Sequence, residues 1–221
     1  MKLLIAVHGA HSQPEQMQAQ RETWLGDLAD WQVDYKFFLG LPKSEDEDVV
    51  SLRCSDGPIW ERNVGGLRTN VQLLKTAAIV HYARKHDYDY VFKCDDDTFV
   101  NVHALLTSGF EEHDYVGRTD RHYAQDIGFY FWCQGGAGYW LSRVAIDVIA
   151  THGLNTKLPE DFSIGQTLAR HDIHPHSDDR YVAQSDRRYL EQAAKKKDWI
   201  SLHKVDAKWM YELQASILAA Q

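Results

Sequence analysis

Apolar and polar residues along this chain form blocks that predict strands and helices in alternation. A short apolar run from Lys2 to Val7 predicts a buried parallel strand that opens into a loop. Pro14 suits a helix N-terminus, and a second strand over Val33 to Leu39 ends at Gly40. This alternation indicates an α/β fold.

The middle of the chain contains a clear helix–strand unit. Apolar residues recur from Leu67 to Tyr82 at steps of three and four, which predicts an amphipathic helix ending near Lys85. The helix leads into an apolar strand, YVFKC, at residues 90–94. The preceding segment, residues 41–66, is acidic and then punctuated by glycine. We interpret it as a surface excursion that could hold one short strand.

A stretch of small residues interrupts the apolar pattern in the C-terminal half. An apolar segment at residues 129–132 reaches GGAG at residues 135–138, after which residues 139–141 resume a strand and Ser142 caps a helix. Small residues let the backbone approach a ligand closely, which makes Gly136 a candidate binding residue. The aromatic residues Trp132, Tyr139 and Trp140 could belong to the core or line a ligand site.

The remaining segments complete one predicted domain over residues 1–221. Proline and acids at residues 159–161 mark a helix N-terminus, and residues 200–203 form a strand-like piece. A last helix, from about Asp206, carries its apolar residues on one face. We expect a Rossmann-like α/β fold with a mixed, mostly parallel sheet flanked by helices.

Charge and hydropathy exclude two classes of partner. The formal net charge is −8, and the only basic runs are residues 187–188 and 195–197, which we interpret as solvated helix or loop faces. A nucleic-acid partner is therefore not expected. No apolar run approaches the roughly 20 residues that span a bilayer, so we expect no transmembrane segment.

The three cysteines support neither a disulfide framework nor a zinc site, because they are widely spaced and odd in number. Cys94 and Cys133 are flanked by apolar residues, so we expect buried thiols. The chain begins almost at its first predicted strand, without a signal sequence, and this pattern is typical of a cytoplasmic protein.

Three consecutive carboxylates, Asp95, Asp96 and Asp97, directly follow the predicted YVFKC strand. Like charges this close raise one another's proton affinity and repel, so the cluster needs water, a cation or another functional reason. In open α/β sheets, ligands bind at the carboxyl ends of the strands. We therefore expect the triplet at the ligand-binding edge of the sheet, where a rigid backbone can preorganise a site for a hard cation.

Several interpretations of the triplet compete. It could be a solvated turn with acids at a helix N-terminus. An EF-hand loop starting at Asp95 is excluded, because no Glu stands at its twelfth position. An aspartyl-phosphatase motif fits less well, because Phe99 stands where Thr is needed. The last interpretation is a D-x-D nucleotide-sugar site, in which carboxylates two residues apart hold Mn²⁺ or Mg²⁺ against a diphosphate.

A series of short motifs in chain order distinguishes among these interpretations. They are RETW at 21–24, FFLG at 37–40, LKT at 74–76, YVFKCDDDTFVN at 90–101, YVG at 115–117, GGAGYWLS at 135–142 and PEDFSIG at 159–165. Together they resemble the motifs of glycosyltransferase family 31, which holds the β-1,3-galactosyltransferases, the fringe proteins and the core-one galactosyltransferase. The resemblance covers roughly residues 2 to 170 and implies a GT-A-like fold.

The resemblance also implies an activity: inverting, metal-dependent transfer of a hexose, galactose or N-acetylglucosamine, from a UDP-sugar to a glycan hydroxyl, with a β-1,3 linkage expected. Asp97 then corresponds to a direct ligand of Mn²⁺ or Mg²⁺, and Asp95 to a second ligand nearer the sugar or ribose. Asp96 is the middle acid, assigned to the donor site. Asp161 corresponds to the general base that deprotonates the acceptor hydroxyl.

Further roles follow from the same resemblance. His203 falls where fringe-like members place a metal-binding histidine, and Arg21 either reaches the nucleotide or anchors the first helix. The remaining histidines form no recognisable ligand pattern, so we interpret them as surface or loop residues. They include His8, His11 and the HDIHPH segment at residues 171–176.

The chain departs from the family pattern at one expected nucleotide contact. Members usually carry an Asp about eight residues before the helix lysine, where this chain has Leu67. Most eukaryotic members are also membrane-anchored in the Golgi, so this chain resembles a bacterial or viral version, or a trimmed Golgi-lumenal catalytic domain. The alternative function is a catalytically silent module of the same fold that binds glycans or nucleotide.

Overall fold

The computed structural model describes residues 1–56, 60–62, 68–184, 186–196 and 198–219, with the backbone alone at 60–62 and 68–69. The strands are β1 (Leu3–His8), β2 (Asp34–Leu39), β3 (Val49–Ser51), β4 (Trp60–Arg62), β5 (Arg68–Asn70), β6 (Tyr90–Asp95), β7 (Thr98–Val100), β8 (Tyr115–Gly117), β9 (Thr119–Ala124), β10 (Gly128–Cys133), β11 (Tyr139–Ser142), β12 (His176–Ser177), β13 (Tyr181–Val182) and β14 (Ser201–His203). The α-helices are α1 (Pro14–Glu22), α2 (Val71–Lys85), α3 (Val102–Leu106), α4 (Arg143–His152), α5 (Glu160–Ala169), α6 (Arg187–Lys196) and α7 (Ala207–Leu218).

A seven-stranded sheet in the order β12-β8-β11-β6-β1-β2-β3 forms the centre of the fold. Strand β11 pairs antiparallel with both of its neighbours, β6 and β8. All other neighbouring strands of this sheet pair in parallel: β12 with β8, β6 with β1, β1 with β2, and β2 with β3. The expected mixed, mostly parallel sheet is therefore confirmed. Because β1, β2 and β6 run the same way, their carboxyl ends meet at one edge, which is the expected ligand edge.

The sheet buries apolar side chains on both faces, as a parallel sheet covered by helices requires. Strand β1 illustrates the alternation. Ile5 and Val7 pack on the face covered by α1 and α7, whereas Leu4 and Ala6 pack on the face covered by α2, α4 and α5. A second, smaller sheet of β13, β14 and β7 lies on the α7 side.

The same alternation carries polar residues onto the α2 and α5 face. His8 lies two residues after Ala6, so its side chain is on the same face of the sheet as those of Leu4 and Ala6. The parallel register between β1 and β6 sets His8 beside Asp95. Lys93 lies two residues before Asp95 and therefore faces the same side of the sheet. The antiparallel register between β6 and β11 sets Lys93 beside Tyr139. Strand register therefore gathers these polar side chains on one face, near the carboxyl ends of β1 and β6.

Most of the predicted elements are confirmed. The first helix begins at Pro14, and the hydroxyl of Ser142 accepts a hydrogen bond from the Ala145 amide as an N-cap. Cys94 and Cys133 are fully buried. The basic residues 187–188 and 195–196 lie on helix α6. Residues Leu67 and Lys197, which entered the sequence analysis, lie outside the described residues.

The structure contains strands that the sequence pattern did not predict. Residues 41–66 contain both β3 and β4, whereas the pattern allowed for one strand. Residues 119–133 form an antiparallel hairpin of β9 and β10. Strand β10 contains the apolar segment predicted at residues 129–132, whereas its partner β9 is polar and largely exposed, so β9 has no apolar run that would predict a strand.

None of the described helices combines the length and apolar character that a membrane-spanning segment requires.

Helix α5 packs directly on the hairpin through Gly165. A Cβ atom at residue 165 would lie 2.5 Å from Trp132 Cβ and 2.8 Å from the Phe131 carbonyl oxygen. Beside this contact, the Phe162 ring packs on Trp132 with centroids 4.3 Å apart. The glycine therefore sets the distance between the hairpin and the helix whose first turn carries Asp161.

We predict that Gly165→Ala destabilises the protein by about 1–3 kcal/mol, because the added methyl overpacks this interface. Urea unfolding measures the change. Gly26→Ala is the matched control, since its Cβ would meet its nearest neighbour at an ordinary 3.6 Å, and we expect a change within about 0.5 kcal/mol. Equal stability of the two variants would contradict the proposed close packing.

Candidate functional site

The acidic triplet comprises the last residue of β6, Asp95, and the two residues of the turn to β7, Asp96 and Asp97, at the carboxyl edge of the sheet. Two backbone bonds hold this turn: the Asp96 amide donates to the His8 carbonyl at 3.1 Å, and the Val205 amide donates to the Asp97 carbonyl at 2.9 Å. The Asp96 carboxylate accepts a bond from the Ala10 amide at 3.1 Å. The three acids are therefore fixed between the loop after β1 and the segment after β14.

Asp95, Asp97 and His203 form a cluster that could hold a metal ion, with ligand atoms within 4.8 Å of one another. His203 Nε2 lies 3.2 Å from Asp97 Oδ1 and 4.0 Å from Asp95 Oδ2. Strand β14 supplies the histidine because its antiparallel pairing with β7 sets His203 beside Thr98. The predicted metal ligands thus converge from two distant parts of the chain.

The chemistry of this cluster fits a divalent cation. Asp97 Oδ1 and His203 Nε2 are both buried and face each other at 3.2 Å, but neither makes a well-aligned hydrogen bond within the described part of the chain. Buried polar atoms without partners are uncommon and call for an explanation such as an ion. Carboxylate oxygens with one imidazole nitrogen suit Mn²⁺, and the carboxylates alone suit Mg²⁺.

Burial and neighbouring charges separate the pKa values of the triplet. Burial raises the pKa of Asp96 to about 7, together with the negative charges of Asp95 and Asp97. Burial acts in the same direction on Asp97, but His203 and Lys204 outweigh it and lower its pKa to about 2. Asp97 is therefore ionised throughout the physiological range, as a metal ligand must be.

Gly136 brings the small-residue stretch against this cluster. The Thr98 hydroxyl donates a 2.6 Å hydrogen bond to the Gly136 carbonyl. A Cβ atom at residue 136 would overlap the imidazole ring of His203. Gly136 is thus required for the position of the histidine, and contact of its backbone with a ligand stays a prediction.

The neighbouring residue, Gly135, contacts the second half of the site. A Cβ atom at residue 135 would lie 2.9 Å from Glu160 Oε2, 3.3 Å from Lys93 Nζ and 3.6 Å from Asp161 Cβ. Consecutive glycines therefore touch the metal-ligand candidate His203 on one side and the base candidate Asp161 on the other. The two halves of the site, predicted from separate motifs, lie side by side.

Asp161 is a half-buried carboxylate in the first turn of α5. Burial raises its pKa to about 6, and the charge of Glu160 acts in the same direction. Opposing this rise are the charge of Lys93 and the amides of Phe162 and Gly135. A carboxylate with such a pKa is ionised at neutral pH and is a stronger base than an exposed Asp.

A closed chain of buried polar contacts connects the two halves. Lys93 Nζ lies 2.8 Å from Asp95 Oδ1 and 3.7 Å from Glu160 Oε2. Glu160 Oε1 accepts hydrogen bonds from the hydroxyls of Thr76 and Tyr139. We call these residues, together with His8, the buried polar ring.

His8 closes the buried polar ring. Its Nε2 lies 3.0 Å from Thr76 Oγ1, and its Nδ1 lies 3.8 Å from Asp95 Oδ1. Burial, followed by the charges of Lys93 and Lys75, lowers the pKa of His8 well below its usual value, so the imidazole is neutral. The interpretation of His8 as a surface or loop residue is wrong: it ends strand β1 and is buried.

A cavity of about 210 Å³ opens beside the triplet. Its walls are the loop after β1, the first turns of α2, the three acids and Lys204. Lys75, from the LKT motif, forms one wall and pairs with Asp56 at 2.6 Å. We call this cavity the acidic cleft.

Arg21 lies outside the acidic cleft. Its guanidinium forms a two-point pair with Asp48, at 2.7 and 3.1 Å, and stacks over the Phe37 ring. It lines a separate cavity of about 640 Å³ between α1 and α7. In this arrangement Arg21 anchors the first helix, which was one of its two expected roles, and the nucleotide contact stays a prediction.

The aromatic candidates are buried. Trp140 stacks on Phe110 with centroids 3.9 Å apart and belongs to the core. Tyr139 is fully buried and bonds Glu160, while Trp132 packs against Phe162 beside Asp161.

The residues that the sequence analysis did not assign to the site are Lys93, Thr76, Glu160, His8 and Lys204. The motifs contained the first three, but no spacing rule indicated that they contact one another. A lysine inside an otherwise apolar strand is the one signal that could have identified Lys93.

Comparison with known proteins supports the fold assignment. No family model and no curated protein matches the chain by sequence. Among solved structures, a glycosyltransferase involved in glycosylation of the major capsid of PBCV-1 matches with 11% identity and a TM-score of 0.52, covering 98% of this chain and 100% of that one. The catalytic domain of Drosophila β1,4-galactosyltransferase 7, in complex with xylobiose, matches with 11% identity and a TM-score of 0.51, covering 81% of this chain and 66% of that one.

The chain therefore has the GT-A glycosyltransferase fold. An Asp-Asp-His cluster that could hold a metal ion lies at the carboxyl edge of its sheet.

We predict that Gly136→Ala weakens Mn²⁺ binding at least about tenfold, because the methyl displaces His203 from the two acids. Isothermal titration calorimetry with Mn²⁺ measures the affinity, and circular dichroism verifies the fold. Gly26→Ala again serves as the control and should bind Mn²⁺ as the wild type does. Unchanged affinity in Gly136→Ala would remove His203 from the metal site.

Proposed function

We propose that this protein is an inverting, metal-dependent glycosyltransferase of the family 31 type. It transfers a hexose, galactose or N-acetylglucosamine, from a UDP-sugar to a glycan hydroxyl and forms a β-1,3 linkage. The observation that carries this proposal is the convergence of the Asp95-Asp97-His203 cluster and Asp161 around two consecutive glycines.

The structural neighbours agree with this class of reaction. One acts in glycosylation of a viral capsid protein, and another is a galactosyltransferase whose structure contains a disaccharide. Their likeness to this chain lies in the fold. The choice of galactose or N-acetylglucosamine and the β-1,3 linkage rest on the ordered motifs of the sequence.

In the proposed donor site, Asp95, Asp97 and His203 would hold Mn²⁺ or Mg²⁺. The ion would supply positive charge that stabilises the departing nucleoside diphosphate. Asp96 and the backbone at Gly136 lie beside the same position, where they would contact the nucleotide-sugar. Arg21 would reach the nucleotide only by leaving its pair with Asp48.

The chemical step needs one base. Asp161 accepts the proton of the acceptor hydroxyl as that oxygen attacks the anomeric carbon of the donor. The bond between the anomeric carbon and the diphosphate oxygen breaks, and its electron pair leaves with UDP. A single displacement of this kind inverts the anomeric configuration. The buried polar ring fixes Glu160, and with it the first turn of α5 that carries Asp161.

We predict that Asp161→Asn lowers kcat by about 10²–10⁴-fold, because the amide cannot accept the hydroxyl proton. The assay is Mn²⁺-dependent release of UDP from UDP-galactose and UDP-N-acetylglucosamine with a panel of glycan acceptors. Asp126→Asn is the matched control, since Asp126 is partly exposed and pairs with Arg170 away from the cleft.

Two outcomes of this assay would count against the proposal. Full turnover in Asp161→Asn, with fold and Mn²⁺ binding intact, would exclude Asp161 as the base. Binding of UDP and Mn²⁺ by the wild type without turnover of any donor would instead favour the catalytically silent binding module.

The pH dependence provides a second test of the base. Because the pKa of Asp161 is raised to about 6, kcat/KM should fall as pH decreases through about 6. Asp96, whose pKa is raised to about 7, titrates at higher pH, and the next substitution distinguishes the two groups. Glu160→Gln removes a neighbouring negative charge, so the acid limb should move to lower pH. Other titratable groups that interact with Asp161 are Lys93 on β6, Tyr130 and Cys133 on β10, and Tyr139 on β11.

A pH–rate profile of both proteins at saturating Mn²⁺ measures this shift. A profile that stays flat between pH 5 and 8 would rule out a base with this pKa. Movement of the limb to higher pH in Glu160→Gln would contradict the electrostatic cause.

A further inference from the structure

Lys204 binds one of the two carboxylate oxygens of Asp97, the residue proposed as a metal ligand. Its Nζ donates a 2.8 Å hydrogen bond to Asp97 Oδ2, while Asp97 Oδ1 faces His203. The two oxygens of one carboxylate are therefore divided between a cation supplied by the chain and the imidazole of the metal-ligand cluster. A metal ion bound to this carboxylate would lie close to the lysine ammonium group.

The backbone at Lys204 supports a functional role for this lysine. Lys204 has a φ of +65°, in the left-handed region that residues other than glycine rarely adopt. The adjacent Val205 amide holds this turn by donating to the Asp97 carbonyl. Unfavourable backbone conformations of this kind concentrate at ligand-binding and switching positions.

The side chain of Lys204 also lines the acidic cleft. It is 52% exposed, so its four-carbon stem can move the ammonium group from Asp97 into the cleft. The cleft is also lined by Lys75, which already pairs with Asp56 and donates a hydrogen bond to the Gly9 carbonyl. Of the two lysines, Lys204 is the one whose partner is a metal-ligand candidate.

We propose that Lys204 competes with the divalent cation for Asp97 and, when metal and nucleotide bind together, moves to the diphosphate oxygens. This inference rests on the proposed function and adds a residue to its donor site. Two positive groups beside one carboxylate repel each other, so Lys204 opposes binding of the metal alone. The diphosphate gives the displaced ammonium a new anionic partner, which makes metal and nucleotide binding mutually dependent.

A plain surface ion pair would behave differently. Such a pair contributes little to stability, and its removal has no direct effect on either ligand. Competition instead requires opposite effects of one substitution: tighter binding of the metal alone and weaker binding of the nucleotide in the presence of metal. An increase in metal affinity together with a decrease in nucleotide affinity therefore distinguishes competition from a plain surface ion pair.

The test compares Lys204→Met with the wild type by isothermal titration calorimetry. Lys204→Met keeps a side chain of similar length, and Lys208→Met is the control, since Lys208 is 88% exposed on α7. We expect Mn²⁺ alone to bind about threefold tighter to Lys204→Met, and UDP at saturating Mn²⁺ to bind about tenfold weaker. Uridine, which lacks phosphates, should bind both proteins equally, and Lys208→Met should match the wild type throughout.

Unchanged or weaker Mn²⁺ binding in Lys204→Met would overturn the competition, and unchanged UDP binding would overturn the transfer to the diphosphate. Either result overturns the proposal, and thermal unfolding verifies that the variant is folded. The outcome is independent of turnover. If both shifts occur while no donor sugar is transferred, the proposed function fails and the role of Lys204 stands; if transfer occurs without the shifts, the reverse holds.

Discussion

The buried ammonium group of Lys93 is the constraint on which the acidic site depends. It lies between Asp95 and Glu160 and also donates to the Gly135 carbonyl at 3.3 Å. Burial alone would lower the pKa of Lys93, but the charges of Asp95 and Glu160 outweigh it and raise that pKa. The lysine in turn offsets the repulsion among the acids of the triplet and the PED segment. The buried ammonium group and the surrounding carboxylates therefore balance one another's charge.

The register of β6 determines whether the ammonium group of Lys93 reaches these carboxylates, so the geometry of the site follows from strand register. A shift of one residue in β6 would turn Lys93 toward the α1 and α7 face and leave Glu160 without its cation. It would also remove Asp95 from His8 and from His203. Removing one partner of a buried ion pair costs about 3–5 kcal/mol, so alternative registers are strongly disfavoured. The interactions that assemble the site thus also help to select the fold.

The sequence predicts the strands, most helices and the edge location of the triplet, because each depends on local periodicity. The contact between Asp97 and His203 could be predicted only through the family resemblance, since more than a hundred residues separate them. The buried polar ring escaped prediction altogether. Its members lie on β1, α2, β6, β11 and α5, and only strand register and helix packing bring them together. Strand β9 of the hairpin was missed because a polar, largely exposed strand lacks an apolar run.

A second buried ion pair, between Asp56 and Lys75, fixes the described part of the acidic segment after β2 against the acidic cleft. Asp56 Oδ1 accepts bonds from Lys75 Nζ at 2.6 Å and the Gly40 amide at 2.7 Å, and its Oδ2 accepts from the His11 amide. This carboxylate thereby joins the loop after β1, the end of β2 and helix α2. The oxygens of Asp56 bind the backbone and Lys75, so this carboxylate positions the loops that surround the acidic cleft.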